Sequence, residues 1–168
     1  MKKMLSVVLV WMLTMMMAAG AVAEPFYLEE AGVTLDVPEG MVAADGSDDD
    51  GYALIMTVDG RDDLVYVYAL GYIEDLAGKY IEDMTDEEAY AFGAGIATAV
   101  TDPEMEMVEF DGATYVVVAD AEGTQLHYMT LLNGWITDMA VAKSSGGLTE
   151  DEIVLCAELL MSVEYDEE

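Results

Sequence analysis

Four carboxylates fall close together at Asp45, Asp48, Asp49 and Asp50, in a tract with no apolar residue to bury. Several carboxylate oxygens on a flexible loop are what Ca²⁺ requires. The spacing does not match a twelve-position EF-hand loop, because with Asp45 first the required Gly falls on Asp50 and the closing Glu on Met56. The loop is therefore a candidate divalent-cation site of another kind, set against the commoner solvated acidic loop. His127 is the sole imidazole, which leaves no His-based zinc cluster and a single candidate base for a Ser–His–Asp arrangement. No G-x-S-x-G nucleophile elbow exists to serve it. Cys156 lies between Leu155 and Ala157 in a chain with few cations to lower a thiol pKa, and reads as a core residue. Carboxylate pairs of the glycosidase kind are too abundant here to be informative. Trp135 follows a turn, and Tyr66, Tyr68, Tyr115 and Tyr128 stand at strand positions where packing is expected before binding.

The elements that must hold these residues are legible from pattern. Phe26 to Leu28, Val33 to Val37, Tyr52 to Val58 and Leu64 to Tyr72 read as strands, and Ala43 to Gly51 as an exposed loop. Asp59-Gly60-Arg61-Asp62 reads as a hairpin connection. Thr85-Asp86-Glu87-Glu88 is a capping box that opens a helix to about Ala99, ended by Asp102-Pro103. Met105 to Phe110, Ala113 to Ala119, Thr124 to Leu132 and Trp135 to Ala142 follow as a meander punctuated by Asp111-Gly112, Glu122-Gly123 and Asn133-Gly134. Thr149-Glu150-Asp151-Glu152 opens a second helix to about Met161, and Ser162 to Tyr165 is a short final strand. Val116 and Val118 point one way while Tyr115, Val117 and Ala119 point the other, and Leu64 to Leu70 behaves alike. Both faces of the sheet are apolar, so each needs a cover. With two amphipathic helices at hand, the expected architecture is α+β: an α/β/α sandwich with a mainly antiparallel central sheet flanked by helices on both faces.

Of 168 residues, 5 are Lys or Arg and 35 are Asp or Glu, a formal charge of −30. This excludes a nucleic-acid binder driven by phosphate contacts. It does not imply disorder, because 54% of the chain is hydrophobic. Lys2 and Lys3, the apolar run from Met4 to Ala19 and the Ala21-Val22-Ala23 site give residues 1–23 the form of a secretory signal peptide, and an uncleaved anchor is the competing reading. A lipoprotein would need a Cys at the cleavage point, and the only Cys is Cys156. Residues 24–168 are then expected to be one secreted, extracytoplasmic acidic domain with no internal disulfide and no membrane association once the signal is removed.

The order strand, P-x-G turn, strands, helix, meander, terminal helix resembles the PsbP-like fold family. The resemblance rests on Gly32-Val33-Thr34-Leu35-Asp36-Val37-Pro38-Glu39-Gly40-Met41, on Phe110-Asp111-Gly112 and on Leu160-Met161-Ser162-Val163. Met41 stands where such proteins often have Trp. The resemblance implies a non-enzymatic binding or accessory role and transfers no catalytic or cofactor residue. The expected partner is a cationic peptide, a protein or a divalent cation, with calcium at Asp45, Asp48, Asp49 and Asp50 as the alternative and a hydrolase without an identifiable motif as the third reading. Acidity as an adaptation to a salty habitat accounts for the same charge without a ligand.

Overall fold

The computed structural model describes residues 23–166 apart from Asp50 and Asp111. The expected signal peptide therefore lies outside the described residues, except for Ala23. The elements run β1 (Ala23–Leu28), β2 (Val33–Pro38), β3 (Met41–Asp45), β4 (Tyr52–Val58), β5 (Arg61–Tyr72), α1 (Asp86–Ile96), β6 (Glu104–Phe110), β7 (Ala113–Ala119), β8 (Gln125–Leu132), β9 (Trp135–Lys143), α2 (Glu150–Met161) and β10 (Glu164–Tyr165).

Seven strands form one sheet in the order β3-β4-β5-β9-β8-β7-β6. Every neighbouring pair is antiparallel. The expected meander is its second half. At the β8–β9 hairpin Asn133 and Gly134 adopt φ of 52° and 87°, the left-handed pair that lets a two-residue turn follow the twist of its strands. A second sheet has β2 between β1 and β10.

Side chains alternate across the large sheet. Tyr66, Tyr68, Tyr128, Met139 and Val141 are fully buried on an inner face, beneath Val33, Leu35 and Val37 of β2 and Ile153, Cys156 and Leu160 of α2. Val116, Val118, Met129, Leu131 and Ile136 belong to an outer core closed by Ala89 of α1, by Ala97 and Val100, and by Ile81 of a 3-10 turn. Burying an aliphatic side chain of this size is worth roughly 1.5–3 kcal/mol, so both layers contribute. Both helices start as expected. The Thr85 hydroxyl accepts from the Glu88 backbone N–H while Glu88 accepts from Thr85, and Thr149 and Glu152 repeat the arrangement.

The α/β/α sandwich does not form. Among the described residues ten strands face only two α-helices, of 11 and 12 residues. The inner face is layered by the three-stranded sheet together with α2. On the outer face α1 packs mainly on β6 and β7. The reason is dimensional: a helix about 10 Å across covers roughly two strand spacings of ~4.8 Å, and seven strands are far wider. Helix α1 also ends at Ile96, before the expected Ala99, where its glycines weaken it and the chain turns to bury Val100. Ala43 to Asp45, expected in a loop, are the end of edge strand β3.

Candidate binding surface

The residues singled out for chemistry do not gather at one place. Asp45 ends β3, and its carboxylate accepts from the Ser47 backbone N–H at 2.9 Å; hydrogen bonding by the Ser47 hydroxyl, and then by this N–H, holds its pKa below the ordinary value. The Asp48 backbone pairs with Gly51 across the loop. Asp49 is an exposed turn residue, and Asp50 lies outside the described residues. Among the described residues no three His, Cys, Asp or Glu side chains converge as metal ligands would.

His127 on β8 meets a carboxylate that sequence reasoning missed. Its Nδ1 lies 2.8 Å from Oδ2 of Asp138 on β9. An acid in the middle of the largely apolar run from Trp135 to Ala142 was the available signal. Both side chains are on the outer face, 16% and 15% exposed. Asp138 Oδ1 is buried with no hydrogen-bond partner among the described residues. A carboxylate that orients an imidazole is two-thirds of a triad. The Cys156 thiol, however, is on the inner face, bonded toward the Met139 carbonyl, and burial pushes its pKa well up. Tyr66, Tyr68 and Tyr128 pack in the core as expected, and Tyr115 stacks on Phe110 with ring centroids 4.5 Å apart. Trp135 is 41% exposed and lies against Tyr72, beside exposed Leu132 and Ile73 at one end of the sheet.

The basic residues carry the decisive arrangement. Beyond residue 23 the cations are Arg61, Lys79 and Lys143, and two of these turn onto one carboxylate. Glu152 is only 7% exposed and accepts from Arg61 at 2.9 Å and from Lys143 at 3.0 Å and 3.1 Å. It also receives the Thr149 backbone N–H at 2.7 Å. Burial alone would raise its pKa. The Thr149 N–H, the guanidinium and the ammonium outweigh that and hold it down to about 2. Asp63 ties off the other side of Arg61 at 2.8 Å. The cluster pins the first turn of α2 to the start of β5 and the end of β9. Its consequence for the surface is that two of the three cations beyond residue 23 are held in one cluster, and Lys79 is the exposed third. Acids in turns and helix starts, including Glu39, Asp59, Asp62, Asp86, Glu87 and Glu150, face solvent.

No family model matches the chain, and no curated protein matches it. Among solved structures it is similar to the solution structure of cyanobacterial PsbP (CyanoP) from Synechocystis sp. PCC 6803. The two share 15% identity, covering 90% of this chain and 99% of that one, with a TM-score of 0.56. A crystal structure from Bacteroides thetaiotaomicron VPI-5482 is similar over 88% of this chain and 50% of that one, at 10% identity and a TM-score of 0.47. The fold is PsbP-like, as the sequence resemblance implied.

Proposed function

We propose that the chain is an exported, non-enzymatic binding or accessory protein whose anionic surface engages a cation-bearing partner. The observation that carries this is the convergence of Arg61 and Lys143 on Glu152, which commits two of the three cations beyond residue 23 to a single carboxylate. An anionic field of this kind attracts and steers cationic polypeptides, and salt screens it over ~8 Å at physiological ionic strength. The PsbP-like scaffold supports the reading, being a fold that hosts accessory proteins, and the signal-like residues 1–23 support export.

The experiment is a titration of the protein with a Lys-rich polypeptide and a Glu-rich one at low and high salt. Binding of the first only, weakened at least tenfold between about 50 and 300 mM salt, is expected from surface charge. Binding that ignores salt would overturn the proposal. Calcium chloride, compared with sodium chloride at matched ionic strength, tests the loop in the same samples. A melting shift beyond the control that Asp48→Asn abolishes would make Asp45–Asp50 a cation site.

A further inference from the structure

The sheet has an outer face that its own helices leave half covered. Helix α1 stands over β6 and β7, and the 3-10 turn at Ile81 over β7 and β8. Across β3, β4 and β5 the outward residues form aligned rows. Ala44, Ile55 and Val67 make one, and Val42, Thr57 and Val65 the next. Val42 is 55% exposed and Ile55 39%. No acid points outward from these rows, in a chain where acids outnumber bases sevenfold. Apolar residues exposed side by side on a folded protein are the kind of surface that interaction sites use.

We infer that this face is a docking site for a single amphipathic helix of another protein, apolar along one side and basic at its ends. This rests on the binding role proposed above and names the partner's chemistry. Width supports a helix: three strands span two spacings of ~4.8 Å, close to the ~10 Å diameter of one helix, which would lie beside α1 in the same layer. Length agrees, since strands of five to seven residues extend roughly 16–23 Å, or about 11–15 helical residues. Charge selects the occupant. The apolar strip is bracketed by exposed acids at both ends, Asp45 and Asp49 at one and Glu39, Asp59 and Asp62 at the other. A second copy would bring another −30 against them, and an anionic membrane would also be repelled. A helix flanked by Lys or Arg satisfies both the strip and its ends.

The test is a selection of displayed, helix-biased 14-residue peptides against the purified protein. Enriched sequences should carry apolar residues at i, i+3, i+4 and i+7 with basic ends. Their affinity should fall at least tenfold for Ile55→Asp, and also for the milder Val42→Thr/Ile55→Thr pair, which keeps β-favouring side chains and so the fold. Tyr90→Ser, on α1, should leave it unchanged. Enriched peptides that bind the Thr pair as tightly as the parent, or that are basic without apolar periodicity, would overturn the inference. In that event salt-sensitive binding of the Lys-rich polypeptide would leave the broader reading standing, and its absence would remove both. A dimer in sedimentation that Ile55→Thr dissociates would assign the face to a second copy, against the inference, as would vesicle binding lost in the same variant.

Discussion

Replacing Glu152 by Gln keeps the shape and the acceptor that caps α2, and removes only the charge that Arg61 and Lys143 converge on. The sign follows from linkage. The folded carboxyl is held to about 2 in place of its ordinary 4.5, so its contribution is fully present above the unfolded pKa and is lost as pH falls through the folded one. At ~1.4 kcal/mol per tenfold the depression corresponds to ~3 kcal/mol at neutral pH. Arg61 is 39% exposed, so its share is reduced by solvent screening, leaving ~2 kcal/mol for the charge. Urea unfolding of the two proteins from pH 7 down to pH 2 measures this. The many other carboxylates titrate in both, so the difference between them is the readout. It should be about 2 kcal/mol at pH 7, hold to about pH 5 and shrink toward zero near pH 2. A difference that is flat across this range, or below about 0.5 kcal/mol at pH 7, would refute the assignment of Glu152 as the charged anchor of α2.

Two glycines of α1 should respond in opposite directions. A Cβ at Gly93 would lie 2.9 Å from Val116 Cγ1 and 3.2 Å from Val118 Cγ2, so Gly93→Ala should lower stability by about 1 kcal/mol despite its better helix propensity. A Cβ at Gly95 meets nothing within 4 Å among the described residues, and Gly95→Ala should raise stability by about 0.5–1 kcal/mol in the same denaturation assay. Cys156 is fully buried with its thiol pKa pushed up, so it should resist a thiol-reactive disulfide reagent in native protein and react completely once unfolded. Rapid native labelling would show that α2 opens locally.

Local signals carried far. Both capping boxes form, because a hydroxyl and a carboxylate three residues apart satisfy backbone donors without help from distant chain. Asn133-Gly134 makes its hairpin for the same reason. The opposite facing of Val116 and Tyr115 follows from the two-residue period, and the burial of each matches it. What could not be read was who covers whom. The alternation in Leu64 to Leu70 shows two apolar faces, but it does not say that each is covered from within the chain, and Val65 and Val67 are only half-buried. The His127–Asp138 pair was equally hidden, since it arises from strand register between β8 and β9 and each residue alone looks isolated. The fate of the basic residues was hidden too: Arg61 lies 91 positions from Glu152, and only the β5–β9 pairing brings them together.

The three-stranded sheet imposes an order on how the molecule can be completed. Its middle strand, β2, has β1 on one side and β10 on the other, so residues 33 and 34 await partners at 164 and 165. The Tyr165 hydroxyl reaches that of Tyr68 at 3.0 Å, and the Asp166 backbone N–H donates to the Gly32 carbonyl, so the last residues also close over the inner core. Contacts this distant in sequence carry a large loop-closure entropy. Without residues 164–166 that side of β2 would present unpaired backbone groups, so a variant truncated before Glu164 should expose a free strand edge able to pair with another chain.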